Sequence, residues 1–149
     1  MERVLRDFGE LAAEADRLVK ALSPGHQRAT LLTLSGELGA GKTAFTKALA
    51  KALGVEEVIT SPTFVIEKIY ALSPRGGENP KFRRLVHIDA YRLEKGADLS
   101  ALGFDELMKD AENLVVLEWP EMVQNSLPKS DFGISIEALP DGARRILYA

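Results

Sequence analysis

Residues 36–43 read Gly36-Glu37-Leu38-Gly39-Ala40-Gly41-Lys42-Thr43, the G-x-x-x-x-G-K-T spacing of a phosphate-binding loop. Its flanks constrain the fold as much as the pattern does. Thr30-Leu31-Leu32-Thr33-Leu34 before it is β-prone. Ala44-Phe45-Thr46-Lys47-Ala48-Leu49-Ala50-Lys51-Ala52-Leu53 after it has a helical pattern, stopped by Gly54. Gly36, Gly39 and Gly41 let the backbone turn its amides inward around phosphate oxygens, and the following helix adds the positive end of its dipole. In this pattern Lys42 serves the β- and γ-phosphates, and the Thr43 hydroxyl is a Mg²⁺ ligand. The nucleotide-binding stretch is therefore Glu37, Leu38, Gly39, Ala40, Gly41, Lys42, Thr43 and Ala44.

A chain of 149 residues fits one domain, here residues 1–149, with a sizeable core. A net charge of −3 suggests neither nucleic-acid coating nor a membrane surface. The absence of cysteine excludes disulfides and thiol chemistry and weighs against zinc. The opening residues lack the apolar core of a signal peptide, and no apolar run approaches membrane-spanning length. The expectation is a soluble cytoplasmic protein.

Residues 7–22 carry Phe8, Leu11, Ala12, Ala15, Leu18, Val19 and Leu22 at helical spacing, with Asp7 and Glu10 as a capping box and Ser23-Pro24-Gly25 as the stop. That apolar stripe reads as core rather than as a cofactor site. Residues 65–70 read as a strand, and residues 73–81 as a surface loop. Leu85-Val86-His87-Ile88-Asp89 and Asn113-Leu114-Val115-Val116-Leu117-Glu118 are apolar strands that each end in an acid. Residues 98–109, broken by Gly103, form one or two short helices. Strands around Ile134-Ser135-Ile136 and Arg145-Ile146-Leu147-Tyr148 flank a Pro140-Asp141-Gly142 turn. The expected fold is an α/β sandwich of the P-loop NTPase kind: a mostly parallel sheet, helices on both faces, and a C-terminal antiparallel hairpin. Ligands of such sheets gather at the carboxyl ends of the strands, where the loop, Asp89 and Glu118 all fall.

Asp89 and Glu118 are the acids this chemistry requires: either can hold Mg²⁺, and the other can position or deprotonate the attacking water. Thr63, in a Ser61-Pro62-Thr63-Phe64 loop, can reach the metal or cap local backbone. Tyr91 and Arg92 follow Asp89 directly, and Arg92 is open to a phosphate, a partner or a surface salt bridge. His87 alternates with Asp89 along one strand face and reads as a structural histidine hydrogen-bonded beside the site. Trp119, the single tryptophan, is open between the nucleotide, a partner contact and core packing. The basic run Lys81-Phe82-Arg83-Arg84 and the pair Arg144-Arg145 usually mark solvated faces, and RNA or an acidic protein patch is the alternative. The lack of an Asn-Lys-x-Asp run, and of glycine after Asp89, favours ATP over GTP.

Four motifs, G-E-L-G-A-G-K-T at 36–43, S-P-T-F at 61–64, H-I-D-A-Y-R-L at 87–93 and E-W-P-E at 118–121, occur in that order. Together they resemble the bacterial tRNA threonylcarbamoyladenosine biosynthesis ATPase family TsaE, formerly YjeE, over nearly the whole chain. The resemblance implies ATP and Mg²⁺ as cofactors and weak ATPase activity alone. It implies a role in threonylcarbamoylation of the tRNA adenosine beside the anticodon. The partners would be TsaB and TsaD, with ATP hydrolysis resetting their complex and tRNA met through that complex. Carried over by position, Lys42 holds phosphates, Thr43 binds magnesium, Glu118 is a magnesium or catalytic acid and Trp119 lies beside the site. Thr63 belongs to a first switch-like loop, and Asp89, with Tyr91 and Arg92, to a second. The stretch 73–84 looks longer and more basic than the family minimum, which bears on partner contact. A small-molecule kinase and a non-hydrolysing ATP-sensing scaffold remain as alternatives. The chain lacks the arginine-rich lid that small-molecule kinases close over substrate.

Overall fold

Two strands buried from end to end lie inside the sheet: β2 (Thr30–Ser35), nearly all of it, and β5 (Asn113–Glu118), completely. A strand covered on both faces has no alternation to show, which is why β5 reads as an apolar run and β2 as leucines interrupted by Thr33. The computed structural model describes residues 1–25, 27–55, 67–72, 81–93 and 96–149. Thr63 and its Ser61-Pro62-Thr63-Phe64 loop lie outside the described residues, as do residues 73–80.

Around this pair the chain builds β1 (Glu2–Leu5), α1 (Phe8–Ala21), α2 (Lys42–Ala52), β3 (Glu67–Ala71) and β4 (Arg84–Asp89). Then come α3 (Gly96–Ala101), α4 (Phe104–Met108), β6 (Phe132–Ala138) and β7 (Arg144–Tyr148). The strand order is β1-β7-β6-β2-β5-β4-β3. Leu32, Leu34, Leu85, Leu114 and Val116 face the side covered by α1 and α2 through Leu18, Leu22, Phe45 and Leu49. Leu31, Val86, Ile88, Val115 and Leu117 face the side covered by α3 and α4 through Leu99, Phe104 and Met108. Helices thus cover both faces, as expected.

The sheet is mixed rather than mostly parallel. The central strands β6, β2, β5 and β4 run parallel. The flanks β1–β7, β6–β7 and β3–β4 are antiparallel. The C-terminal hairpin is the β6–β7 pair. β1 carries no sequence signal, because this short edge strand is charged and exposed except at Leu5. Charge on an edge strand also discourages pairing with other chains.

Asp7 caps α1 by accepting from the Glu10 N–H at 2.8 Å, and Glu10 accepts from the Arg6 N–H at 2.6 Å. The apolar stripe of α1 is core from Ala15 onward, but Phe8 is 82% exposed and Ala12 is exposed. The first turn overhangs the glycine loop instead of the sheet, so the helical period holds while its target changes. At the other end of α2, Gly54 (φ +94) lets the Val55 N–H reach the Ala50 carbonyl at 2.9 Å.

Gly36 and Gly39 are separable tests of the loop. A Cβ at Gly36 (φ +150) would lie 2.4 Å from the Ile136 carbonyl oxygen, whereas one at Gly39 (φ +81) meets nothing within 4 Å. Gly36→Ala is expected to cost about 2–3 kcal/mol in urea unfolding and Gly39→Ala about 1 kcal/mol, since only the first adds a backbone clash to the dihedral strain.

Candidate active site

β2 feeds the glycine loop, and α2 leaves it. Gly41 (φ +113) is the N-cap of α2 and supplies no side-chain acceptor, and no acidic residue lies in the first turn. The first N–H groups of α2 therefore keep their capacity for an anion, reinforced by the helix dipole. The Lys42 side chain is 95% buried, with its ammonium donating to the carbonyls of Gly36 at 2.5 Å and Glu37 at 3.0 Å. Burial lowers its pKa, opposed by the nearby carboxylates of Glu118, Glu121 and Asp89. The remaining loop residues divide between surface and core: Glu37, Leu38 and Gly39 are exposed at the tip, Ala40 is buried and Ala44 is half-buried.

The acids arrive by strand register. Leu34 of β2, Glu118 of β5 and Asp89 of β4 stand side by side across three parallel strands. Glu118 is buried, and its Oε1 accepts from the Thr43 hydroxyl at 3.5 Å, joining the start of α2 to the end of β5. Its Oε2 contacts His87 Nε2. Burial pushes the Asp89 pKa up; the Tyr91 N–H, donated to its Oδ1 at 3.0 Å, pulls the other way, and the Glu118 carboxylate adds to the rise.

Trp119 packs against the core cluster under α3 and α4 and also stands over Lys42. Its backbone is left-handed (φ 61), the one non-glycine residue with positive φ among the described residues, and its N–H donates to the Leu34 carbonyl at 3.1 Å. That conformation puts the indole 3.9 Å from the Lys42 ammonium, a cation–π contact, with the half-exposed Tyr91 ring 4.8 Å away. Arg92 is exposed and makes no ion pair among the described residues.

The basic run is spent on the fold. Lys81 donates to the Val19, Lys20 and Leu22 carbonyls at 3.1, 2.9 and 2.8 Å, closing the C-terminus of α1. Phe82 is core, Arg83 pairs with Glu112 at 3.3 Å, and Arg84 bonds Asn113 at 2.7 Å and pairs with Asp110. Arg145 bonds Glu137 at 3.1 Å.

Two residues near the loop escaped sequence reasoning. A cavity of about 430 Å³ opens beside Gly41 and Ala44, walled by Phe8 and Leu11 of α1 and Arg144 of β7. Phe8 looked like core by its period, and Arg144 looked like surface charge. Their only signal is topological: β7 and the start of α1 both reach the loop from opposite ends of the chain. Among the described residues no three or more His, Asp or Glu side chains group as a metal cage, and no helix is long and apolar enough to cross a membrane.

A mixed sheet with helices on both faces, a glycine loop joining β2 to α2, and two acids in register beside it define an α/β protein built around one loop. Residues 6–146 match the family described as Threonylcarbamoyl adenosine biosynthesis protein TsaE, and the chain belongs to that family. The tRNA threonylcarbamoyladenosine biosynthesis protein TsaE of Streptomyces coelicolor is 45% identical over 134 residues, covering 89% of this chain and 82% of the relative. Its namesake in Treponema pallidum is 37% identical over 123 residues, covering 83% and 84%. That of Bacillus subtilis is 36% identical, covering 79% and 68%. A crystal structure of Bacillus subtilis YdiB superposes with a TM-score of 0.75 at 28% identity, covering 99% of this chain and 83% of that one.

The raised pKa of Asp89 has a sign that can be tested. The folded state holds this proton more tightly than the unfolded chain, whose ordinary value is 3.8, so stability falls as pH rises through the window above that value. Asp89→Asn keeps an oxygen for the Tyr91 N–H and removes the charge. It should unfold at a higher temperature than the parent at neutral pH, with the gain closing in acid. Thermal unfolding of both proteins at the two pH values checks this.

Proposed function

We propose that this protein binds ATP with Mg²⁺ at its glycine loop and hydrolyses it in the service of tRNA threonylcarbamoyladenosine formation. In this reading it acts in the cytoplasm on the TsaB–TsaD pair and resets that complex. Membership of the TsaE family supports the pathway. The observation that carries the chemistry is the approach of the Thr43 hydroxyl to the Glu118 carboxylate, 3.5 Å, beside the uncapped start of α2. A hydroxyl and a carboxylate are hard oxygen donors of the kind Mg²⁺ takes, and this ion ordinarily keeps waters and phosphate oxygens for its other positions. A protein cage of three ligands is therefore not required.

Thr43 and Glu118 would hold the ion, which, when bound, neutralises phosphate charge. The N–H groups at the start of α2 bind phosphate oxygens. Lys42 exchanges the Gly36 and Glu37 carbonyls for the β- and γ-phosphates, and the base takes the Phe8–Arg144 side of Gly41. Asp89, whose pKa burial raises, orients water or accepts its proton. Tyr91 and Arg92 follow it in a loop that can respond to the γ-phosphate and present a docking surface to the partners.

Phosphate release from ATP–Mg²⁺, with and without the TsaB–TsaD pair, tests the reading. Partner-stimulated release is expected. Lys42→Ala should abolish it and weaken nucleotide binding. Glu118→Gln should keep binding of a fluorescent ATP analogue while lowering turnover about 100-fold or more. Lys42→Ala with unchanged binding and turnover would overturn the site. Confirmed ATP binding without multiple turnover in the full complex would overturn the ATPase reading.

A further inference from the structure

Glu118 has two carboxylate oxygens with different company. Oε1 accepts from Thr43 at 3.5 Å, on the loop side. Oε2 meets His87 Nε2 in the interior, where the imidazole is 0% exposed and Glu118 2%. His87 is not the register partner of Glu118; that place belongs to Asp89. His87 lies two residues earlier on the same face of β4 and reaches diagonally across the strand pair.

Among the described residues the imidazole makes no other hydrogen bond. Its Nδ1 is buried and has no hydrogen-bond partner among the described residues. A histidine kept for packing alone would expose its second nitrogen to an acceptor, a donor or water, or give way to an apolar side chain that avoids the desolvation cost. Here the ring accepts that cost and, among the described residues, makes one bond, to one oxygen of one carboxylate. A carboxylate only accepts, so Nε2 is the donor in this contact.

We infer that His87 is a positioning residue: its Nε2–H fixes Glu118 by Oε2, so that Oε1 is the single oxygen presented beside Thr43. The inference rests on the reading of Thr43 and Glu118 proposed above. A glutamate has three side-chain torsions, and the Thr43 contact is long. Without the imidazole, the carboxylate is free to rotate about its last torsion or to swing toward the Lys42 ammonium, on which it acts more strongly than Glu121 or Asp89 does. Partners that hold a ligating side chain from behind typically change metal affinity or activity by about 10–100-fold when removed.

The test compares His87→Leu, which keeps volume but not the donor, with His87→Gln, whose amide nitrogen reaches about as far as Nε2. His87→Asn, too short to reach Oε2, is the second failing variant should the leucine protein not fold. Each full-length protein is measured three ways. Phosphate release is followed with the TsaB–TsaD pair, resolving kcat from KM. The affinity of a fluorescent ADP analogue is titrated against Mg²⁺. The imidazole nitrogens are observed by ¹⁵N NMR in the protein alone, where the chain has only two histidines.

His87→Leu and His87→Asn should lower kcat about 10–100-fold, with KM within about twofold, and raise the Mg²⁺ concentration needed for tight nucleotide binding about tenfold. His87→Gln should recover most of both. The parent spectrum should show the proton on Nε2, with that resonance moved by Glu118→Gln. Unchanged kcat and Mg²⁺ dependence in His87→Leu, or a glutamine variant no better than asparagine, would overturn the inference and leave His87 a packing residue. A parent protein that neither binds nor hydrolyses ATP would instead overturn the proposed function. The NMR readout bears on the His87–Glu118 bond in either case.

Discussion

The site depends on the register of β2, β5 and β4. β5 is apolar on both faces, so burial alone would tolerate a slip along its neighbours, and a slip of one residue would turn Glu118 to the opposite side of the sheet. The polar ends of the strand prevent this. At one end the Asn113 amide donates to the Leu107 carbonyl at 3.0 Å, and its oxygen accepts from Arg84 at 2.7 Å. At the other end Glu118 meets His87 and Thr43. The same buried polar groups that cost solvation therefore select one alignment, and that alignment sets Glu118 beside the glycine loop.

Charge near the loop is balanced by geometry. Lys42 is buried among carbonyl oxygens and against an indole face, partners that stabilise an ammonium without neutralising it. Glu118 and Asp89 adjoin each other on neighbouring strands, and burial makes ionisation of Asp89 harder. The arrangement holds one cation and two acids close together without pairing Lys42 fully to either acid. Trp119 is the hinge of this balance, because its left-handed backbone is what turns the ring from the end of β5 onto the loop.

Much of the fold was legible because its signals are local. The glycine loop with its flanks, the α1 cap, the two acid-ended strands, the break at Gly103 and the hairpin turn each occupy a few consecutive residues. What was not legible depended on who faces whom. The period of α1 marked Phe8 as apolar stripe, but only the tertiary arrangement reveals that the first turn stands over the loop. The charged edge strand β1 exists by virtue of β7. The basic run 81–84 looked free in one dimension, and in three it closes α1 and pairs with Asp110 and Glu112. His87 and Asp89 were placed on one strand face from alternation, while the bond to Glu118 needed the alignment of a strand some thirty residues away.

The antiparallel edge between β1 and β7 pairs Glu2 with Leu147 and Leu5 with Arg144. No contact of that edge can form before β7 has been synthesised, so the closure is long in range, and such closures are slow in folding. The cavity beside Gly41 is walled from the start of α1 on one side and by Arg144 of β7 on the other. A nascent chain emerging residue by residue can shape its glycine loop early, since β2 and α2 adjoin it. The wall beside that loop waits for β7, so this pocket is completed later than the loop it adjoins.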